Sequence, residues 1–396
     1  MDIYKKSIEQ EAFCKMKQRI MRDATMKKAM AFFVVLCMLL LCTACTPKDD
    51  GTVFSGGSGT EADPYRIATA EDLWEMAEKM NTREIVEDYT MAHYRLTADI
   101  DLGGRKEWIP IGYYSKNTDH YRFEGVLDGA GHTISGIRIQ YEEPRVGQKR
   151  SLFGLIGKLE GTAKNLTIDD SSIRAEGEIS IYAGAIAGSV DGGNVENCHT
   201  TDCVEVFSSY YSGGICGRLD GKSTISGCSN GASVTAESIV GEAGGIAAYA
   251  SCTVTDCANV GSVISSLSRA AGIVVTATAG LRDCVNAGSI TAEDDAAGIV
   301  CSFGDGALNP GMNDDTISLL RCINSGSVTS AGGPTGGIAA GCRTGSVVDC
   351  INSGRISSPK ETGGIFAYFQ PGAFGTPLRR IPGIRLREFR NGFFCG

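Results

Sequence analysis

The sequence is poor in the patterns that build helical repeats and familiar catalytic centres. Long stretches of Leu, Ala, Glu and Lys are missing, which excludes a repeat made of two helices per unit. Only four histidines occur, and none lies in a His-Glu-x-x-His motif. The sequence also has no Gly-x-x-x-x-Gly-Lys-Ser/Thr phosphate loop and no Gly-x-Ser-x-Gly nucleophile elbow. We therefore expect no cofactor, no metal and no enzymatic activity.

A repeated segment runs from about Val195 to Phe366. Each copy has a cysteine, an asparagine two residues later and a glycine shortly after it. Successive cysteines from Cys228 lie 29, 27, 38 and 28 residues apart, so the unit is about 28 residues long with one insertion. Each copy ends in a Gly-Ile pair, at 245–246, 272–273, 298–299, 337–338 and 364–365. This period is typical of a solenoid, in which stacked units form the core that no unit could form alone.

Apolar residues alternate over three short runs in each unit, which predicts strands rather than helices. In one unit the runs contain Val254 and Cys257, then Val263, then Ile273 and Val275. Asn-x-Gly between the first two runs predicts a turn, because both residues tolerate positive φ. We predict an all-β fold, a single-stranded parallel β-helix of about nine or ten coils with roughly 28 residues each.

Two residue types recur at fixed places in the coils and are expected to stack. The asparagines should form a structural ladder of side-chain amides; they are Asn230, Asn259, Asn286, Asn324 and Asn352. The cysteines occupy an apolar strand position and should form a buried column; they are Cys198, Cys228, Cys257, Cys284, Cys322 and Cys350. Disulfides between coils are the alternative, because coils about 4.8 Å apart meet the distance limits for a disulfide. Metal binding is a third alternative.

The N-terminal region predicts export and anchoring. Residues 1–25 are polar and are expected to be a mis-assigned or disordered extension, with Met26 as the true start. Residues 26–45 combine two lysines with sixteen mostly apolar residues, which predicts a secretory signal too short to span a membrane comfortably. Cys45 follows Leu-Cys-Thr-Ala, which resembles a bacterial lipobox, and we expect it to be lipidated. Cleavage without lipidation is the alternative.

The rest of the chain divides into four predicted regions. Residues 46–59 form a flexible, Gly/Ser-rich linker. Residues 60–170 form an N-terminal cap and the first coils, with a helix that begins after Thr69 and covers the open end of the solenoid. Residues 171–366 form the repeats. Residues 367–396 form an atypical basic tail, either an interaction tail or a truncated or out-of-frame terminus.

A series of motifs in this region resembles a known bacterial module. The motifs are 59–65 (GTEADPY), 96–102 (LTADIDL), 108–112 (WIPIG) and 123–134 (FEGVLDGAGHTI). Together with the Gly-Gly-Ile units they are similar to GLUG-motif proteins, a resemblance that covers residues 59–366. It implies a right-handed β-helix on a bacterial surface, in proteins described as adhesin-like. Similar segments occur in some immunoglobulin A peptidases, but the histidines here do not match such an activity.

Carboxylates and aromatics are the candidates for a site. Four aspartate pairs could act in a polysaccharide lyase or glycosidase, namely Asp99/Asp101, Asp169/Asp170, Asp294/Asp295 and Asp314/Asp315. Structural or solvated roles are the simpler interpretation of each. Four aromatics outside the repeats could bind a glycan or protein, or pack the cap; they are Trp108, Tyr113, Tyr114 and Tyr121. Tyr210, Tyr211 and Tyr249 lie beside Gly-Gly-Ile units and are further candidates.

The net charge of −9 disfavours nucleic acid as a partner. We expect an exported, monomeric lipoprotein on the outer face of the cell membrane or the cell surface, attached by its lipid. The predicted function is non-catalytic adhesion to, or binding of, a glycan or a host or microbial surface protein. A carbohydrate-active enzyme on a β-helix and a structural spacer are the alternatives.

Overall fold

The computed structural model describes residues 53–81, 87–103, 107–113, 122–142, 151–177, 181–304, 318–342 and 345–369. In these ranges the chain forms two helices and short parallel strands that stack as a β-solenoid of about nine turns. The prediction of an all-β parallel β-helix is confirmed.

The strands belong to four parallel sheets, numbered in the order in which the chain visits them. Sheet 1 contains β1 (Tyr65–Ile67), β2 (His93–Leu96), β3 (Ile100–Asp101), β4 (Val126–Asp128), β5 (Thr133–Ser135), β9 (Thr162–Asp169), β13 (Asn194–Thr200), β17 (Thr224–Ser226), β18 (Ser229–Asn230), β22 (Val254–Thr255), β23 (Ala258–Asn259), β27 (Leu281–Arg282), β28 (Val285–Asn286), β32 (Ser318–Leu320), β33 (Ile323–Asn324), β37 (Ser346–Val348) and β38 (Ile351–Asn352). Sheet 2 contains β6 (Arg138–Glu142), β10 (Ser171–Glu176), β14 (Val204–Ser208), β19 (Ser233–Ala236), β24 (Val263–Ser265), β29 (Ile290–Ala292), β34 (Val328–Ser330) and β39 (Ile356–Ser357). Sheet 3 contains β7 (Leu152–Phe153), β11 (Tyr182–Gly184), β15 (Tyr211–Gly213), β20 (Glu242–Gly244), β25 (Arg269–Ala271), β30 (Ala296–Ala297), β35 (Thr335–Gly336) and β40 (Thr362–Gly363). Sheet 4 contains β8 (Ile156–Leu159), β12 (Ala187–Asp191), β16 (Cys216–Asp220), β21 (Ala247–Ala250), β26 (Val274–Ala277), β31 (Val300–Phe303), β36 (Ala339–Cys342) and β41 (Phe366–Phe369).

The cap is built on helix α1 (Ala70–Asn81), and a short helix α2 (Glu87–Thr90) follows. Thr69 begins α1, because its Oγ1 accepts a hydrogen bond from the backbone N of Asp72 at 3.1 Å. The Asp72 carboxylate in turn accepts from the backbone N of Thr69 at 3.2 Å, which completes a capping box. The apolar face of α1 packs on the solenoid core through Leu73, Met76, Ala77 and Met80.

Residues 53–59 are not the flexible linker that their composition predicted. Phe54 is buried, and its ring lies 4.7 Å from Tyr65 and 5.6 Å from Tyr94, measured between ring centroids. The Ser55 hydroxyl donates to the carboxylate of Asp72 at 2.6 Å. One aromatic side chain therefore ties the segment to the cap, because burying a ring of this size stabilises the fold by about 2 kcal/mol.

The core is built from positions that repeat in register from coil to coil. Ile225, Val254 and Leu281, for example, pair on successive strands of sheet 1 and are fully buried. Successive side chains of sheet 3 point to opposite faces of the sheet, so Ala270 packs toward sheet 2 and Ala271 packs toward sheet 4. Sheet 3 therefore packs against sheet 2 through one set of side chains and against sheet 4 through the other.

The chain turns at the predicted Asn-x-Gly motif, at the corner between sheets 1 and 2, but without the positive φ that was expected there. Positive φ occurs instead between the two strands of sheet 1, at the residue before the column cysteine, as at Asp256 (53°) and Asp283 (56°). The glycine of that motif is required for a different reason. A Cβ at Gly288 would lie 2.0 Å from the carbonyl oxygen of Gly261 on the preceding coil, so only glycine lets the coils stack this closely.

Candidate functional site

A cleft of about 340 Å³ lies where sheets 3 and 4 meet, and four successive coils line it. Sheet 3 contributes one side chain per coil, four residues before the buried isoleucine at the corner between the two sheets, which is Ile186, Ile215, Ile246 or Ile273. Sheet 4 contributes the position three residues after that isoleucine. The lining residues are Tyr182, Tyr211, Glu242 and Arg269 from sheet 3, and Arg218, Tyr249 and Thr276 from sheet 4.

Strand register aligns these side chains into two columns parallel to the solenoid axis. On sheet 3, Tyr211 pairs with Tyr182 on one side and Glu242 on the other, and Arg269 follows Glu242. On sheet 4, the partners in the same order are Arg218, Tyr249 and Thr276. Three of the four coils thus present one residue on each wall of the cleft, and the first presents Tyr182 alone.

Small side chains let sheets 3 and 4 approach each other closely. Ala271 and Ala297 of sheet 3 form a buried cluster with Val275, Cys301 and Ala340 of sheet 4. Burial raises the pKa of the Cys301 thiol, so it remains protonated at neutral pH. This cluster begins on the Arg269 coil and continues into the next two coils, so it packs sheets 3 and 4 together at one end of the cleft and beyond it.

One end of the cleft is aromatic. The rings of Tyr182 and Tyr211 stack with centroids 4.8 Å apart and planes 8° from parallel. The guanidinium carbon of Arg218 lies 5.5 Å from the Tyr182 ring centroid and 5.2 Å from that of Tyr249. Its Nη1 donates to the Tyr182 hydroxyl at 3.1 Å, and it ion-pairs with Asp220.

The other end is charged but balanced. Arg269 Nη2 donates to Glu242 and, at 3.4 Å, to the Thr276 hydroxyl, which donates to the second carboxylate oxygen of Glu242. The Glu242 side chain is 9% exposed, so this ion pair is largely withdrawn from solvent. Burial, and then the negative charge of Glu242, raises the pKa of Tyr211.

Asp295 lies one coil beyond Arg269, because the backbone N of Ala270 donates to the Asp295 carbonyl at 3.1 Å. Burial, and then the neighbouring Asp294, raises the pKa of its carboxyl to about 6. It belongs to the predicted pair Asp294/Asp295, whose first member is exposed as predicted.

The other described aspartate candidates hold neighbouring segments of the chain by hydrogen bonds and an ion pair. Asp99 accepts from the backbone N of Thr133 at 3.0 Å and contacts His132 at 3.1 Å, while Asp101 accepts from the backbone N of Gly103 at 2.8 Å. Asp170 ion-pairs with Arg138 at 2.9 Å, and Asp169 accepts from the Thr201 hydroxyl. Asp314/Asp315 lies outside the described residues.

Among the described residues, the aromatic candidates outside the repeats do not form a common site. Trp108 is 1% exposed, lies 4.8 Å from Trp74 and donates its indole N–H to the Leu155 carbonyl at 3.1 Å. Its assignment as a binding residue is therefore wrong, because a fully buried ring packs the cap and cannot meet a ligand. Tyr113 is half-buried. Tyr114 and Tyr121 lie outside the described residues.

The asparagines form a continuous chain of buried hydrogen bonds. Each Nδ2 donates to the Oδ1 of the next asparagine at 2.7–2.8 Å, through Asn230, Asn259, Asn286, Asn324 and Asn352. Each Nδ2 also donates to the carbonyl two residues on in its own turn, as Asn286 does to Gly288 at 3.1 Å. The asparagines therefore bond to one another from coil to coil through their side chains, and each also bonds to the backbone of its own turn.

The column cysteines are buried free thiols. They are Cys198, Cys228, Cys257, Cys284, Cys322 and Cys350. Their Sγ atoms lie near backbone carbonyls, as Cys257 does with the Thr255 carbonyl at 3.2 Å. No group of three or more His, Cys, Asp or Glu side chains suited to a metal ion occurs in the described ranges.

Sequence reasoning identified Tyr211 and Tyr249 but missed Tyr182, Arg218, Glu242 and Arg269. The signal that could have found them is their fixed distance from the isoleucine at the corner of each coil, four residues before it or three after it. An analysis of hydrophobic periodicity does not detect this signal, because these side chains occupy outward positions whose residue type differs from coil to coil.

The anchoring prediction concerns residues that the structure does not describe. Cys45, the signal segment and the basic tail from residue 370 onward fall outside the described ranges. Among the helices that are described, neither has the length and apolar character needed to cross a membrane.

No known protein-family model matches the chain. Over 152 residues, or 36% of this chain, it is 31% identical to halomucin of Haloquadratum walsbyi. Over 170 residues, or 41%, it is 33% identical to a protein of Evansella cellulosilytica named "Putative Gly-rich membrane protein". The matched segments span only 2% and 17% of those two relatives.

One solved structure is similar over most of the chain. It is titled a "putative immunoglobulin A1 protease" from Bacteroides ovatus, and it matches with a TM-score of 0.55 and 21% identity over 81% of this chain and 88% of that one. At this identity the similarity concerns the fold. The expectation that the chain is not an enzyme is nevertheless corrected, because it rested on missing motifs, and a chain with this fold is described as a protease.

Proposed function

We propose that this chain is a cell-envelope β-helix that binds a carbohydrate in the cleft between sheets 3 and 4. The observation that carries the proposal is the lining of the cleft, where three tyrosines meet two arginines and a glutamate. Tyrosine rings contact the apolar faces and edges of sugars while their hydroxyls bond to water or ligand. Guanidinium and carboxylate groups donate to and accept from the same ligand hydroxyls, which suits a polyol.

The proposed location is the bacterial surface. It is supported by the membrane-protein name of one relative and by the signal-like segment that ends at Cys45. We propose a GLUG-type surface lipoprotein whose thioether-linked lipid at Cys45 holds the solenoid outside the membrane. Metabolic labelling with a radioactive fatty acid tests the anchor, since the label should be incorporated by the full chain and lost in Cys45→Ser.

The binding proposal is tested with the full chain on an array of immobilised glycans. The variant Tyr182→Ala/Tyr211→Ala removes the stacked pair and should abolish retention, because each aromatic contact contributes about 1 kcal/mol or more. Phe207→Ala is the matched control: its ring lies on sheet 2, 3.8 Å from the guanidinium of Arg174, and does not line the cleft.

The array also separates binding from turnover. Retention that survives the double tyrosine variant would place the binding site elsewhere and overturn the proposal. Soluble shortened sugars released from a retained glycan would add catalysis to binding, and Glu242→Gln would then be the first variant to assay.

A further inference from the structure

The cleft is elongated along the solenoid axis. Its walls are columns in which each coil contributes one residue, and coils in a parallel sheet are about 4.8 Å apart. From Tyr182 to Arg269 there are three coil spacings, so the lined length is roughly 14 Å. A ligand that fills the cleft must therefore lie across successive coils.

The walls continue beyond the cleft as small polar positions on sheet 4. Ser189 precedes Arg218 in the column, and Ser302 follows Thr276. Farther along, the Tyr368 ring lies over Gly341, where an added Cβ would meet it at 2.6 Å. A serine carries no bulky side chain that would close the sheet 4 wall at either end of the lined region, which favours an internal segment of a chain over a chain end.

Both guanidinium groups that line the cleft are paired with carboxylates, and a further carboxyl group, that of Asp295, lies one coil beyond Arg269. Arg269 is paired with Glu242, and Arg218 is paired with Asp220. A polyanion would gain no excess positive potential here, and its charges would lie beside two carboxylates. An uncharged ligand with many hydroxyls can instead use every one of these groups as a donor or an acceptor without displacing an ion pair.

We infer that the cleft takes an internal segment of an uncharged, unbranched glycan that lies along the solenoid axis across four coils. This inference rests on the proposed carbohydrate binding and specifies its ligand class. Along sheet 3 the ligand meets two tyrosines, then a glutamate and then an arginine, so successive sugars meet these groups in a fixed order and affinity accumulates along the chain.

The test measures affinity by calorimetry for the full chain with neutral oligosaccharides of glucose, xylose and mannose, from disaccharide to hexasaccharide. For the series that binds, affinity should rise about tenfold or more with length and then level off once the cleft is spanned. Tyr182→Ala should weaken the long members and leave the disaccharide nearly unchanged, and Phe207→Ala should leave the whole profile unchanged. A bulky label on the reducing end should not weaken a long oligosaccharide.

Further arms separate the possible failures. Affinity that does not depend on length, or that a label abolishes, overturns the inference and leaves carbohydrate binding standing. A polyuronate that binds more tightly than its neutral counterpart, with an affinity that falls steeply with salt, overturns the assignment of an uncharged ligand. Binding of no oligosaccharide, or of an extended peptide in its place, overturns the inference and the proposed function together.

Discussion

At the scale of single residues, the ladder asparagines both stabilise the turn of their own coil and link that coil to its neighbours. The Oδ1 of Asn286 accepts from Asn259 and from the backbone N of Gly288, and its Nδ2 donates to Asn324 and the Gly288 carbonyl. The ladder begins at Thr200, whose hydroxyl donates to Asn230 Oδ1 at 2.8 Å. Every polar atom is thus satisfied in a core that excludes water.

Asn286→Ala should lower the free energy of unfolding by about 3 kcal/mol, because it leaves a buried donor on Asn259 and a buried acceptor on Asn324 without partners. Chemical denaturation measures the change. Asn194→Ala removes bonds at a half-buried surface position, to Thr162 and Thr224, and should cost about 1 kcal/mol or less. Equal losses in the two variants would contradict the role of the ladder.

Asp295 should make stability fall as pH rises. Burial raises the pKa of its carboxyl to about 6, so the folded state favours the protonated form. Its contribution to stability is complete below the ordinary carboxyl pKa and is lost as pH rises through about 6. Asp295→Asn should therefore match the wild-type melting temperature near pH 4 and exceed it near pH 7.

The control for Asp295 is Asp294→Asn. Burial is the larger cause of the raised pKa and remains in this variant, so most of the pH dependence should remain as well. If both variants flatten the curve equally, the charge of Asp294 and not burial governs the effect.

At the scale of elements, the Gly-Ile corner determines how closely sheets 3 and 4 approach. A Cβ at Gly244 would lie 1.9 Å from the carbonyl oxygen of Ala247, and one at Gly213 would lie 1.8 Å from that of Cys216. These atoms belong to the backbone and cannot rotate away. In these two coils glycine is needed because the strand of sheet 3 passes the strand of sheet 4 at close range, whereas the following coils hold Ala271 and Ala297 at the same register position.

Gly244→Ala should destabilise the protein by about 1–3 kcal/mol, because the two sheets must move apart to admit the methyl group. It should also weaken carbohydrate retention, since Glu242 lies on the same strand. Gly364→Ala is the control, because a Cβ there meets nothing within 4 Å. Thermal unfolding of both variants measures the effect. A Gly244→Ala variant as stable as the wild type would contradict the close approach of sheets 3 and 4 at this position.

At the scale of the whole molecule, stability is shared between neighbouring coils. One core runs from Phe54 in the cap to Cys350 near the last described coil. In such an array each coil is stabilised by the coils on either side, so position along the stack decides how much a given contact contributes.

Asn352→Ala should therefore cost clearly less stability than Asn286→Ala, about half by the number of ladder bonds removed. Asn352 is half-buried and accepts one ladder bond, from Asn324 at 2.7 Å, whereas Asn286 lies between two neighbours. Denaturation of the two variants side by side gives the ratio. A larger loss at Asn352 would show that the C-terminal coils limit the stability of the stack.

Much of the fold could be predicted because its determinants are local and repeated. A period of about 28 residues with short alternating runs predicts stacked strands without any knowledge of their packing. The α1 helix was also predictable, since Thr69 and the spacing of Leu73, Met76 and Met80 are local signals. The burial of Phe54 was not, because the aromatic residues that cover it lie 11 to 40 positions farther along the chain.

The sequence by itself determined the repeat, the strands, the buried cysteine positions and the asparagines that could stack, because each depends on spacing along the chain. Only the tertiary structure decided that Trp108 is buried and that Tyr182, Arg218, Glu242 and Arg269 share one cleft. That cleft depends on the angle and distance at which sheet 3 turns onto sheet 4. Backbone contacts between coils set this angle and distance, and they cannot be inferred from the hydrophobic pattern of the outward side chains.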